Sequence, residues 1–266
     1  MDVNQHLDQL TRSLALDPQE KSKIETSYKY IEGKIWEFYR EELKSVGVFG
    51  SFERNTLLPR AIDEKSDVDI MVILKEGKLK TQTYLTQLRD FAATYYKGSE
   101  RYQDFPTFAI DLNHIRFEIV PAYYDSVFLG SDELKIPGPK AEDVEWITTD
   151  PVEFRRKVEA KDKEEKGMFL PLIRIIKYWN VINNYPFSSY VIESHLLNKS
   201  DYWNCKTSKD YLMDAIDHMD ETIGDDQQQS CIRALKQMRQ RIIVLEKNAM
   251  TEYALIEIQK QFPHPI

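Results

Sequence analysis

Two cysteines, Cys205 and Cys231, are all that the 266 residues contain. They form no close-spaced metal or redox motif and read as free thiols in a reducing compartment. The five histidines are scattered, and none has a partner at metal-ligand spacing. Neither a Gly-x-x-x-x-Gly-Lys-Ser/Thr loop nor a Gly-x-Gly-x-x-Gly is present, so P-loop and dinucleotide-binding folds lack their fingerprints. Positive charge is not in excess: 36 basic residues against 44 acidic ones give a net charge of −8. Binding to a long polyanion is driven mainly by phosphate neutralisation, so this balance argues against a large nucleic-acid substrate, though not against a local basic pocket. No apolar run approaches membrane-spanning length, and the opening Met-Asp-Val-Asn-Gln-His-Leu-Asp has neither the basic nor the apolar region of a signal peptide. No repeat or low-complexity tract appears. These absences predict a soluble, cytoplasmic protein.

What is there suffices for a substantial core, with 42% hydrophobic and 12% aromatic residues in one large domain or two closely packed ones. Asp17-Pro18-Gln19-Glu20 combines an N-cap acid, proline at N1 and glutamate at N3, a strong helix start. Ile24, Tyr28, Ile31, Ile35, Phe38 and Leu43 then recur at helical spacing, predicting an amphipathic helix to about residue 45 whose aromatic stripe packs in the core. Leu85, Leu88, Phe91 and Tyr95 mark another. Thr107–Leu112 and Ile115–Val120 read as a hairpin turning at Asn113-His114 and ended by Pro121. Residues 125–150, with Gly130, Pro137, Gly138 and Pro139, read as an irregular connection. After Pro151 the periodicity is helical almost throughout. The charged run Val158–Lys166 reads as a solvated helix face, and Ile232, Leu235, Met238, Ile242, Leu245, Ala249, Tyr253 and Ile256 as one long closing helix. The expected fold is α+β: a mixed sheet backed by the first long helix (residues 1–145), packed against a helical C-terminal lobe (residues 146–266).

The chemistry lies in two adjoining strands. Val46, Val48 and Phe49 lead into Gly50-Ser51, and Asp67 and Asp69 open the apolar run Val68-Ile70-Met71-Val72-Ile73-Leu74. Residues i and i+2 of a strand share a face, so the two carboxylates project together, roughly 6.6 Å apart along the strand. Two acids on one face repel unless something cationic bridges them, and Mg²⁺ is a hard ion that takes carboxylate and phosphate oxygens. Gly50 lets the backbone come close to a ligand. If a helix begins there, its free N–H groups and the Ser51 hydroxyl face incoming phosphates.

An apolar-Gly-Ser, a spacer, an apolar-flanked Asp-x-Asp and a later apolar-acid-apolar resemble the DNA polymerase β-like nucleotidyltransferase superfamily. The resemblance implies a third acid on a neighbouring strand, which Phe117-Glu118-Ile119-Val120 supplies as Glu118, where many relatives carry aspartate. Asp111 is the runner-up, and otherwise a polar cross-strand neighbour. Downstream, Phe169-Leu-Pro-Leu-Ile-Arg-Ile-Ile-Lys-Tyr-Trp-Asn180 followed by Phe187-Ser-Ser-Tyr-Val-Ile-Glu193 resembles the CD-NTases, cyclic-oligonucleotide synthases of bacterial anti-phage defence (CBASS). Trp146, Asp150-Pro151 and Phe262-Pro263 fit the same group.

That resemblance implies attack of a ribose hydroxyl on the α-phosphorus of a nucleoside triphosphate, with two Mg²⁺ (or Mn²⁺) held by Asp67, Asp69 and Glu118. It implies that Gly50, Ser51, Lys177 and Ser189 bind nucleotide, with Lys177 on the terminal phosphates. Ser188 competes with Ser189, for which a helix-cap role is the plainer alternative. Arg54 and Thr56 are further candidates to line the site, and Tyr190 to stack a base. The product would be a short cyclic or linear oligonucleotide signal read by a separate effector protein. A polymerase-type or single-nucleotide transferase acting on RNA, protein or an antibiotic would use the same acids. A catalytically silent nucleotide-binding module need retain none of them.

Overall fold

The computed structural model describes residues 1–75, 80–126, 132–138, 146–198 and 202–265. By packing they group into two units, Asp17–Arg60 with Glu64–Arg156, and Met1–Leu16 with Ala61–Asp63 and Lys157–Ile266.

The first unit opens on α2 (Pro18–Tyr39), capped as its sequence predicts: the Asp17 carboxylate accepts from the backbone N–H groups of Gln19 and Glu20 at 2.7 and 2.9 Å. Such a cap is worth about 1 kcal/mol. The helix stops sooner than the apolar spacing suggests, because Arg40 turns to φ 48 and breaks it. Leu43 is therefore not helical. It begins β1 (Leu43–Phe49), buried opposite Leu74. A single turn, α3 (Gly50–Glu53), follows directly.

The sheet is mixed and ordered β1-β2-β5-β4-β3, from β2 (Asp67–Leu74), β3 (Glu100–Asp104), β4 (Thr107–Leu112) and β5 (Ile115–Asp125). β2 and β5 are parallel; the other neighbours are antiparallel. The β4–β5 hairpin turns at Asn113-His114, as the sequence indicates. Pro121 does not end β5. It lies between the last β4 pair, Phe108–Ile119, and the first pair with β6 (Glu133–Pro137), Tyr123–Lys135, where proline's missing N–H leaves no ladder bond unmade. α2 and α4 (Thr81–Tyr95) pack on the sheet, with Phe38 and Phe91 edge to face at 5.6 Å. Beneath them Val68, Ile70 and Val72 are fully buried.

The expected irregular connection over 125–150 holds two more strands, β6 (Glu133–Pro137) and β7 (Trp146–Thr148), with Gly130 and Pro139 outside the described residues. What seats them is aromatic packing: Trp146 meets the edges of Tyr123 at 4.8 Å and Tyr84 at 5.6 Å.

The second unit is helical. α1 (Val3–Ser13), which apolar spacing from Asp17 onward does not announce, is set by a capping box between Asp2 and Gln5. The unit boundary falls within α5 (Pro151–Glu164). Its charged run is not wholly solvated, because Val158 is buried and Lys161 lies over the Tyr202 ring while paired to Glu165 at 2.8 Å. α6 (Phe169–Ile182) is buried on nearly every side, packed by α1, α7 (Ser189–Asn198) and α8 (Ser208–Asp217). The closing helix is two: α9 (Asp226–Lys247) and α10 (Thr251–Gln261), packed on each other. Ala249 at φ 56 turns the chain between them, and the Asn248 side chain donates to the Val244 carbonyl. The apolar period does not mark the buried face beyond this break: Tyr253 and Ile256 are exposed, and α10 buries Ala254, Glu257 and Ile258 instead. Among the described residues, no helix is long and apolar enough to cross a membrane.

Candidate active site

Strand register brings the three acids together. Asp69 stands opposite Glu118 in the parallel β2–β5 pair and opposite Phe49 in β1. Paired residues share a face of the sheet, so one row runs Phe49, Asp69, Glu118, Ala109, Tyr102 across five strands. The adjacent row carries Asp67, Arg116 and Asp111. Farther along the same face the residues turn apolar, and Met71, Val120, Ala122 and Leu134 form a small buried cluster.

The acids are held differently. Glu118 accepts a hydrogen bond from the Thr107 hydroxyl at 3.2 Å, and the Asp67 carboxyl lies beside it. Burial lifts the Glu118 carboxyl above its ordinary value; the Thr107 bond and Arg116 oppose this, while Asp104 reinforces it. Asp69 instead lies against the α-carbon of Gly50, which adopts φ 74. Among the described residues no three histidine, cysteine, aspartate or glutamate side chains are gathered closely enough to cage a metal ion. The chemistry of the donor set nevertheless suits a hard cation, whose usual ligands are carboxylate oxygens.

Asp111 does not join these acids. Its carboxylate accepts from Arg60 at 2.9 and 3.0 Å and from Arg116 at 3.4 Å, the cross-strand role its position suggests. Arg116 also lies 5.7 Å from the centre of the Tyr102 ring. Sequence reasoning missed Thr107, Arg116 and Tyr102. Only the alternation of β4 and β5, carried across to β3, could have shown them beside Glu118.

Gly50 begins α3 as expected. Phe49, at the cap position, offers no side-chain bond to the turn's first N–H groups. Ser51 is buried, and its carbonyl accepts from the backbone of Thr56 and Leu57 at 2.9 and 3.1 Å. Thr56 is fully buried and serves this turn, while the Arg54 guanidinium sits 5.0 Å from the Phe154 ring. Arg155 pairs with Glu53 at the end of α3.

In the helical unit, the Lys-Tyr-Trp-Asn and Phe-Ser-Ser-Tyr-Val-Ile-Glu segments explain each other. The buried Asn180 amide donates to the Phe187 carbonyl at 2.8 Å and accepts from the Phe187 N–H at 2.9 Å, clamping the α6–α7 connection. Trp179 stacks on Phe187 with centroids 6.3 Å apart. Ser188 supplies the cap of α7, accepting from the Val191 N–H at 3.3 Å, so the hydroxyl of Ser189 is not the one that caps. One turn on from Ser189, Glu193 meets Lys177, with Nζ and Oε1 3.7 Å apart. Tyr190 is 64% exposed on the first turn of α7.

A family model described as "Second Messenger Oligonucleotide or Dinucleotide Synthetase domain" matches residues 1–162. The Bacillus cereus (strain VD146) protein named "Probable cyclic nucleotide synthase" is 34% identical over 116 residues, which are 41% of this chain and 34% of that protein. The match thus spans about a third of that relative's length. Among solved structures, Vibrio cholerae DncV cyclic AMP-GMP synthase, in complex with the linear intermediate 5′ pppA(3′,5′)pG, superposes with a TM-score of 0.76 at 11% identity over 100% of this chain and 96% of that one. Escherichia coli MS115-1 CdnC with ATP gives 0.74 at 14% identity, over 98% of both chains. At such identities the likeness speaks to the fold.

Proposed function

We propose a function from one premise: the chain belongs to the Second Messenger Oligonucleotide or Dinucleotide Synthetase family, the CD-NTases, and has their polymerase β-like nucleotidyltransferase fold. On that premise it joins nucleoside triphosphates into a short cyclic or linear oligonucleotide, by attack of a ribose hydroxyl on an α-phosphate with loss of pyrophosphate. The observation that supports this most is the register placing Asp69 beside Glu118, with Asp67 two residues before Asp69 on the same face and Gly50 against Asp69.

Asp67, Asp69 and Glu118 would hold Mg²⁺. When bound, the metal would make the attacking hydroxyl more acidic and neutralise the triphosphate. The remaining work of the protein is placement, since phosphoryl transfer leaves little covalent chemistry to side chains. Gly50 lets the backbone approach a phosphate without a side chain intervening, and Ser51 offers its hydroxyl. Lys177 contributes a cation and Ser189 a hydroxyl to the donor's terminal phosphates. Residues 1–145 would carry the transfer chemistry and 146–266 the remaining nucleotide contacts. The protein would work in the cytoplasm, and its product would act on a separate effector protein in anti-phage signalling.

The test is to incubate the purified chain with the four ribonucleoside triphosphates and Mg²⁺ or Mn²⁺, treat the products with phosphatase, and weigh them. Short products of fixed length support the reading, and phosphatase resistance identifies rings, because ring closure leaves no terminal phosphate. A ladder that lengthens with time, or label incorporated only when RNA or another protein is supplied, would overturn it in favour of a polymerase or a single-nucleotide transferase.

A further inference from the structure

We infer that Glu193 is a positioning residue that aims Lys177 at the donor's terminal phosphates; this rests on the reading of Lys177 just given. The two side chains are 0% and 7% exposed, respectively, so both charges are buried. Burying an ion pair is costly, and an apolar pair of similar volume commonly serves stability as well or better. Retaining the pair therefore points to a task for the charge itself.

The surroundings fix its direction. Asn180 clamps Phe187, Ser188 caps α7, and these two contacts set the start of α7 against α6. Glu193 follows Ser189 by one helical turn and lies on the same face of α7. Lys177 precedes Asn180 by three residues on α6. The carboxylate, the ammonium and the Ser189 position are thus arranged by one rigid connection. At 3.7 Å the pair is longer than the roughly 2.7–2.9 Å of a tight charge-assisted hydrogen bond. Glu193 thus acts on the ammonium through its charge.

The experiment is a double-mutant cycle in the full chain with Glu193→Gln, Lys177→Met and both together, read by binding rather than turnover. Dissociation constants are measured for each ribonucleoside triphosphate and its monophosphate. Expected is a loss of about tenfold in triphosphate affinity for Glu193→Gln, unchanged monophosphate affinity, and no further loss when Lys177→Met is already present. Equal loss for tri- and monophosphate, or the same loss in both backgrounds, would overturn the inference while leaving Lys177 in place. An unaltered Lys177→Met variant, or a wild-type chain that binds no triphosphate, would overturn the reading of Lys177 and the inference with it. If Glu193→Gln does not fold, Glu193→Asp takes its place. It keeps the charge one methylene farther away, and the expected loss is smaller but still confined to triphosphates.

Discussion

A Cβ placed on Gly50 would lie 1.8 Å from Oδ2 of Asp69 and 2.8 Å from its Cγ. Glycine is required there twice over, because φ 74 is also a conformation that other residues rarely adopt. Gly50→Ala should displace the Asp69 carboxylate, and displacement of about 1 Å at a reacting centre costs on the order of a hundredfold in rate. Gly47→Ala, where a Cβ meets nothing within 4 Å, is the control and should keep its activity. Equal initial rates for the two variants would remove Gly50 from the site.

Asp67→Asn and Asp69→Asn should each lower synthesis by about a thousandfold or more while leaving the fold intact. Neither should melt below the wild type without metal, since neutralising one member of a cluster of acids relieves repulsion among them. Wild-type product formation by the double asparagine variant would sink the assignment of these acids.

Asn180→Ala removes both hydrogen bonds to Phe187 and leaves two backbone groups of the α6–α7 connection unsatisfied. The expected cost is about 2–3 kcal/mol, read from denaturant midpoints. Asn180→Asp keeps the acceptor for the Phe187 N–H but loses the donor, so it should still lie below the wild type. Indistinguishable midpoints for all three would show that the clamp adds nothing.

His6 gives the expected pH dependence of stability. Its buried ring donates from Nε2 to the Phe262 carbonyl at 2.7 Å, and burial lowers its pKa from the ordinary 6.5, with His264 lowering it further. A depressed folded pKa stabilises the protein above 6.5, and that contribution is lost as pH falls through the folded value. Melting temperature should therefore drop on acidification below 6.5, and His6→Gln, which cannot titrate, should flatten that part of the curve. Parallel curves for the two proteins would refute the assignment.

Much of the site is legible in the chain because it obeys period two. Asp67 and Asp69 flank Val68 at a strand head, Glu118 alternates with Phe117 and Ile119, and glycine precedes serine where the backbone must turn. Less legible is whatever depends on a strand distant in sequence. Arg116 and Thr107 look like ordinary strand polar residues until β3, β4 and β5 are aligned. β6 and β7 were hidden among glycine and proline because their pairing rests on Trp146 packing with Tyr123 and Tyr84. The ends of α2 and α9 were missed for a different reason. Arg40 and Ala249 take positive φ with no glycine to mark the turn, while the apolar period runs on past both.

The parallel pairing of β2 with β5 also gives the enzyme a history within its own synthesis. Parallel neighbours cannot be joined by a tight turn, and α4, β3 and β4 all intervene between them. A chain emerging from its N-terminus can pair β1 with β2 while Glu118 is still unmade. Non-local pairing of this kind is slow to form. A nascent chain therefore holds Asp67 and Asp69 before Glu118 can stand beside them; under the proposed function, triphosphate would be consumed only after the hairpin carrying Glu118 has docked.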